Sequence, residues 1–236
     1  MQMILLAAGL GTRLMPLTKE TPKCLVQIGE KPLLQYWLED FESSESVEEI
    51  FINTHYLPEK VEYFIANWTT KKIINLFHEK ELLGTGGTLL ALKSRLTCTD
   101  LIIAHADNYT SLKIENAIWH HKKRAKKTNI TMPTFVTSNP SNCGIVETNK
   151  LNIVTSFEEK PAVAKSDKAN SAFYVFDKVA VDEIMETPKV KPDISIDIIP
   201  NFINRIFTFP IKGQHIDIGT MSNYELAQRI SSNGEL

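Results

Sequence analysis

Apolar residues run together at the start of the chain, in Met3-Ile4-Leu5-Leu6-Ala7-Ala8, and stop at Gly9. So short an aliphatic run predicts a buried strand. Leu33, Leu34, Trp37, Leu38 and Phe41 then recur at helical spacing, which predicts an amphipathic helix over residues 32–42. The same reading gives a strand at 49–54, a helix at 58–68, a strand at 72–78, a helix at 86–96, a strand at 101–106 and a helix running on to 127. Strands alternating with helices predict an α/β fold with a mostly parallel sheet and helices on both faces. After residue 128 the pattern changes to short strand-like runs at 130–137, 144–147, 153–158 and 171–176. Helices at 178–186 and 195–204, strands at 206–211 and 215–218 and a helix at 223–230 follow. No low-complexity linker and no internal repeat interrupts the chain, so residues 1–236 read as one domain.

Composition narrows the class without naming a chemistry. Of 236 residues, 43% are hydrophobic and 23% charged, as in an ordinary globular protein with a sizeable core. The net charge of −2 argues against a nucleic-acid or membrane surface. The basic run from His120 to Lys127 reads as a solvated helix end, where positive charge suits the helix dipole. Cys24, Cys98 and Cys143 stand far apart with no C-x-x-C pair, which points to a reducing cytoplasm and away from zinc or redox motifs. Neither a signal peptide nor a run long enough for a membrane span is expected. His55, His78, His120 and His121 lack a convincing ligand spacing, and Trp37, Trp68 and Trp119 sit on helical faces expected to enter the core.

The candidate chemistry begins where the first strand breaks. Small residues Ala7, Ala8, Gly9 and Gly11 allow close backbone approach, and successive free N–H groups in such a turn form an anion-binding concavity. Arg13 adds a fork of donors suited to phosphate, and Lys23 a second positive charge. The turn is neither a dinucleotide fingerprint, since Leu14 replaces the third glycine, nor a P-loop, since no G-K-[ST] follows. Asp107 and Asp217 each end an apolar approach, at the rim where open α/β sheets bind ligands. Two readings stand for them: joint ligands of one Mg²⁺, or a turn residue and a helix cap. Glu81-Leu82-Leu83-Gly84-Thr85-Gly86-Gly87-Thr88 is a second glycine-rich loop, either ligand-facing or a bare turn. Phe157-Glu158-Glu159-Lys160-Pro161 sets an acid beside a base, which a surface ion pair would equally explain.

Gly9-Leu10-Gly11-Thr12-Arg13-Leu14-Met15-Pro16-Leu17-Thr18, followed by Pro22-Lys23, resembles the signature of the sugar-1-phosphate nucleotidylyltransferases, and matches recur to about residue 227. The resemblance implies a Rossmann-like three-layer α/β/α fold with a mostly parallel mixed central sheet, the nucleotide-diphospho-sugar transferase type. Residues 1–128 would form its nucleotide-binding half and 129–236 its sugar-phosphate-binding half. The implied nucleotide contacts are Leu6, Ala8, Gly9, Gly11, Thr12, Arg13 and Lys23 from the first loop, and Gly84, Thr85 and Gly86 from the second. Arg13, Lys23 and Asp107 would be catalytic, and Asp107 and Asp217 would hold Mg²⁺ as cofactor. Gly144, Glu159, Lys160 and Asn170 would meet the sugar phosphate, by likeness to the family's glycine strand, E-K-P and N-[AS]-G-x-Y segments. Ala106 and Ala172 stand where the family usually has glycine.

The implied reaction joins a nucleoside triphosphate and a sugar 1-phosphate, with guanylyl transfer to mannose or heptose 1-phosphate favoured by the leading acid and T-G-G form of the second loop. Uridylyl, thymidylyl or cytidylyl transfer, phosphocholine included, stays open. So does a non-catalytic nucleotide-sugar sensor, although such a protein would be expected to lose Arg13, Lys23 or a metal aspartate. A nicotinamide oxidoreductase is disfavoured by the missing third glycine. The length suggests a minimal catalytic domain without a β-helix extension, and the oligomeric state, a homodimer included, is open.

Overall fold

The computed structural model describes residues 1–234. From the amino end its elements are β1 (Gln2–Leu6), β2 (Gln27–Ile28), β3 (Lys31–Pro32), α1 (Leu33–Ser43), β4 (Glu49–Thr54), α2 (Pro58–Ala66), β5 (Ile73–His78), α3 (Thr85–Ala91), β6 (Leu101–His105), β7 (Asn108–Thr110) and α4 (Ile114–Lys123). The chain continues through β8 (Ile130–Thr131), β9 (Thr134–Val136), β10 (Gly144–Thr148), β11 (Val154–Glu159), β12 (Lys168–Asn170), β13 (Phe173–Phe176), α5 (Lys178–Met185), β14 (Ile206–Phe207), β15 (His215–Asp217) and α6 (Met221–Ser232). The α/β class and the mostly parallel mixed sheet with helices are as expected.

Two compact units interleave along the chain. One comprises Met1–Gln2, Leu83–Ile103 and Asn116–Ile211; the other comprises Met3–Leu82, Ala104–Glu115 and the chain from Lys212 onward. Within the second, β1, β4 and β5 are successive sheet neighbours, and β4 and β5 pair in parallel from Glu49 opposite Ile73 to Thr54 opposite His78. Parallel strands buried on both faces need continuous apolar runs, and Met3–Leu5 and Ile50–Ile52 supply them at 0–1% exposure. Leu33, Leu34, Trp37, Leu38 and Phe41 form the buried stripe of α1, and the Trp37 indole N–H donates to the Asn108 carbonyl at 3.0 Å. The Lys72 ammonium donates to the Phe41, Ser44 and Val47 carbonyls, satisfying groups that a helix end leaves open.

Within the first unit the order is β14-β8-β13-β6, with β14 parallel and β13 antiparallel to β8. A separate four-stranded antiparallel sheet runs β11-β10-β12-β9. Asp177 caps α5 by accepting from the Ala180 N–H at 3.0 Å, and also receives Arg124 Nη2 at 2.7 Å.

Several expected boundaries are corrected. The helix expected to reach residue 127 ends at Lys123, because the Arg124 guanidinium donates to the His121 carbonyl at 2.7 Å and to the Thr128 carbonyl at 2.9 Å and so turns the chain. The expected strand at 130–137 is split by Pro133, and that at 206–211 stops at Phe207 ahead of Pro210. The helix expected over 86–96 is α3 followed by a 3₁₀ turn at Lys93–Arg95, and that over 195–204 is a π turn, Ile194–Ile198, running into a 3₁₀ turn that contains Pro200. Trp119 does not enter the core: it is 50% exposed, with the Lys123 ammonium 3.9 Å from its ring centroid. The basic run is not wholly solvated either. His120 stacks on Phe209 with centroids 3.8 Å apart, and His121 is buried, its Nδ1 2.9 Å from Thr131 Oγ1. Among the described residues no helix is long and apolar enough to cross a membrane.

Burial, reinforced by the Arg124 charge, pushes the His121 imidazole down to about 3. The unfolded chain therefore takes up a proton below about pH 6.5 that the folded chain refuses, so this contribution is intact above that pH and is lost as pH falls toward 3. The slope is about 1.4 kcal/mol per pH unit. Urea unfolding at pH 7 and pH 5 is expected to show His121→Gln losing about 2 kcal/mol less than the parent over that interval; equal losses would refute the assignment.

Candidate active site

The second unit gathers residues from three distant stretches. Ala106 and Asp107 follow β6 in a turn, and the Ala106 N–H donates to the Leu6 carbonyl at 2.9 Å, tying that turn to the end of β1. Ala106 is fully buried and is not in the left-handed region, so alanine serves there without strain. β15 pairs antiparallel with β7, placing Asp217 opposite Asn108, and the Ile218 N–H donates to the Asp107 carbonyl at 2.8 Å. The two carboxylates are thus set side by side by backbone bonds. Asp217 is not the cap of the last helix, because Thr220 performs that role for α6 through the Asn223 N–H.

Lys23 lies between them. Its ammonium is 2.5 Å from Asp107 Oδ2 and 3.4 Å from Asp217 Oδ1, and its side chain is only 10% exposed. Burial would lower the Lys23 pKa, yet the two carboxylates outweigh it and hold the ammonium above the ordinary lysine range. Burial would raise Asp107, but Lys23, aided by His105, keeps its carboxyl below the usual range. Asp217 goes the other way although its side chain is 55% exposed: desolvation in the crowded cluster and the neighbouring Asp107 charge push its carboxyl up, against the pull of Lys23 and Arg13. Two acids with opposite shifts in one cluster are what like charges at close range produce. The Arg13 guanidinium also belongs here: a Cβ on Gly219 would lie 3.0 Å from both Arg13 Nη2 and Asp217 Oδ2.

The loop leading into this cluster is open to a ligand. Gly11 sits at φ +64°, a left-handed turn that favours glycine, and its carbonyl accepts from Thr18 Oγ1 at 2.7 Å. Arg13 follows in a 3₁₀ turn, Thr12–Leu14. Among the described residues, none of the N–H groups from Ala8 through Arg13 donates to a protein acceptor. Leu6, Ala8, Gly9, Gly11, Thr12, Arg13, Lys23, Asp107 and Asp217 therefore share one unit and one neighbourhood.

The remaining expected residues lie in the first unit. Gly84 is the N-cap of α3 at φ +79°, but the N–H groups of Gly86 and Gly87 are taken by the Pro192 carbonyl at 2.9 and 3.2 Å. Thr85 Oγ1 donates to Asp193 Oδ2 at 3.1 Å and accepts from the Ile194 N–H at 2.7 Å. The loop entering α3 is thus held by Pro192 and Asp193, neither of which the sequence marked. Gly144 pairs with Glu159 across β10 and β11, and a Cβ there would fall 2.7 Å from Glu159 Oε2 and from the Phe157 ring, so only glycine leaves that carboxylate its place. Lys160, at φ +49°, puts its ammonium 3.6 Å from Glu159 Oε1. Asn170 donates to the Tyr174 hydroxyl at 2.7 Å and accepts from the Ala172 N–H at 2.9 Å. Ala172 adopts φ +53°, a conformation in which glycine carries no Cβ penalty. Tyr174, whose hydroxyl burial pushes up to about 12, stays neutral and lies 3.4 Å from Ser195 Oγ.

Among the described residues no group of three or more His, Cys, Asp or Glu forms a metal-holding cluster. The pair Asp107 and Asp217 supplies two hard oxygen donors, so further ligands would have to come from a substrate or water.

Known proteins resemble the chain along most of its length. The mannose-1-phosphate guanylyltransferase catalytic subunit beta of Xenopus tropicalis is 28% identical over 95% of this chain and 62% of its own, and the mannose-1-phosphate guanyltransferase beta-A of Xenopus laevis is 29% identical over 95% and 62%. The chain therefore spans less than two thirds of these relatives. HddC from Yersinia pseudotuberculosis, solved in complex with GMP-PN, matches with a TM-score of 0.78 at 24% identity, covering 97% of this chain and 98% of that one. A Bacillus anthracis protein solved in complex with a sucrose gives 0.86 at 20% identity, covering 98% and 94%. At such identities the structural likeness is one of fold. Residues 2–233 match the family model described as nucleotidyl transferase, and the chain belongs to that family.

Proposed function

We propose that the protein transfers a nucleoside monophosphate from a nucleoside triphosphate to a sugar 1-phosphate, releasing pyrophosphate. The observation that carries this reading is the convergence of Lys23, Asp107, Asp217 and Arg13 beside a loop whose N–H groups from Ala8 to Arg13 face no acceptor among the described residues. Such a run of donors suits a polyphosphate, and the guanidinium suits its terminal oxygens. Relatives named for mannose 1-phosphate and guanylyl transfer, and the GMP-PN complex of a protein of the same fold, favour GTP and mannose 1-phosphate.

In this reading an oxygen of the sugar phosphate attacks the α-phosphorus in line. A new P–O bond forms as the bond to the β-phosphate oxygen breaks, and pyrophosphate takes the electron pair. The nucleophile is already ionised, so no general base is needed, and positioning with charge neutralisation carries the rate. Arg13 holds the departing β- and γ-phosphates, and Lys23 turns from the carboxylates toward the α-phosphate. The fit of Mg²⁺ to Asp107 and Asp217 is supported by Lys23 itself, since the two carboxylates already hold a cationic group between them. When bound there, the ion would offset charge on the phosphates. Cys24, Cys98 and Cys143 stand outside any disulfide among the described residues, which agrees with a cytoplasmic setting.

With GTP, mannose 1-phosphate and Mg²⁺, pyrophosphate release is expected, and Arg13→Ala and Asp107→Ala should each lower kcat/KM by about a hundredfold or more while circular dichroism stays unchanged. Binding without turnover in the parent would point to a nucleotide-sugar sensor instead. Removing the internal counter-ion has a separate signature. Lys23→Met is expected to bind Mn²⁺ several-fold more tightly than the parent without nucleotide, by calorimetry, since both carboxylates then lose the ammonium between them; equal or weaker Mn²⁺ binding would exclude Asp107 and Asp217 as the metal pair.

A further inference from the structure

One buried polar pair holds the opening loop from a different side. Asn53, in β4, is 4% exposed, and Glu79, just after β5, is 3% exposed. Asn53 Oδ1 accepts from the Ala7 N–H at 2.5 Å, while Asn53 Nδ2 donates to Glu79 Oε1 at 2.9 Å. Glu79 is fixed in turn: its N–H donates to the Thr54 carbonyl at 2.8 Å, and its carbonyl lies 2.8 Å from His55 Nδ1.

The two ends of a carboxamide are not equivalent, one accepting and the other donating. An ionised carboxylate only accepts, and a backbone N–H only donates. Placed between the two, Asn53 satisfies both in one orientation alone, and the Glu79 carboxylate dictates which. Ala7 is the point at which β1 has ended and the run of unclaimed N–H groups is about to begin. Locking its N–H inward fixes the direction in which the next peptide groups leave the strand.

We infer that Asn53, oriented by Glu79, is a positioning residue that aims the N–H groups of residues 8–13 at the nucleotide. This rests on the nucleotidyl-transfer reading for the identity of the ligand but not for the clamp itself. The effect is geometric preorganisation: donors already aimed need no reorganisation when phosphate arrives. A pair that merely stabilised the sheet would leave nucleotide affinity unchanged once the chain had folded.

The test uses the full chain and two readouts: amide hydrogen exchange at Ala7 without ligand, and GTP affinity by calorimetry, with circular dichroism confirming that each variant is folded. Asn53→Leu is expected to lose protection at Ala7 and to weaken GTP binding about tenfold. Asn53→Asp sets two carboxylates against each other and should weaken it likewise. The double variant N53D/E79Q reverses the polarity of the second bond, since the new carboxylate accepts from both the Ala7 N–H and the glutamine amide, and should recover most of the affinity. Asn53→Asp and the double variant keep the test decisive if Asn53→Leu fails to fold. Unchanged protection at Ala7 in Asn53→Leu overturns the clamp, and lost protection with unchanged GTP affinity overturns its role; where Asn53→Leu does not fold, GTP affinity in Asn53→Asp equal to the parent's overturns the role of Asn53. A parent that binds no GTP refutes the ligand assignment, while the exchange data still judge the clamp.

Discussion

Two carboxylates brought side by side need a positive charge between them. Asp107 and Asp217 are 110 residues apart in sequence, yet the β7–β15 pairing and the Ile218 N–H to Asp107 carbonyl bond bring their backbones together. Lys23 answers that demand from a third stretch of chain. The crowding acts at Asp217, where desolvation and the Asp107 charge push the carboxyl up, while Lys23 keeps Asp107 below its usual range. A cation between the carboxylates offsets their repulsion, and the fold supplies a lysine whose flexible stem can give the place up. The same arrangement therefore serves both the resting structure and the chemistry proposed for it.

Close approach around this cluster is made possible by missing side-chain atoms. Gly219 leaves space that Arg13 and the Asp217 carboxylate occupy, and Gly11 turns the chain through a left-handed conformation with Thr18 and Lys23 close against it. In the other unit Gly144 performs the same service for Glu159 and Phe157. These glycines are thus tied to specific charged partners, and loop flexibility does not explain them.

The alternation of apolar runs made the strands and helices of residues 1–106 legible, since buried parallel strands and amphipathic helices carry strong periods. Legibility fell where local chemistry ends an element. Arg124 stops α4 by binding carbonyls on either side of a turn, and Pro133 divides a strand-like run, so the apolar pattern alone overstates both. Trp119 reads as core by its helical position, but a cation over its ring lets it stay half exposed. Within the site, glycine, arginine and aspartate announced themselves at strand ends. Asn53, Glu79, Pro192 and Asp193 did not, because their importance lies in partners distant in sequence. A polar residue closing an apolar strand, as in Ile52-Asn53-Thr54, was the one signal that pointed toward Asn53.

The two glycine-rich loops look alike in sequence and differ in what they offer. Residues 8–13 keep their N–H groups clear of acceptors among the described residues, with a guanidinium close behind. At the start of α3 the corresponding donors of Gly86 and Gly87 already belong to the Pro192 carbonyl, and the Thr85 hydroxyl is engaged by Asp193 and Ile194. An anion gains nothing from donors that are occupied, because each new bond would cost an existing one of similar strength. The first loop is therefore suited to an anion, whereas the second is closed over Gly86 and Gly87, which are buried against Pro192 and Lys191.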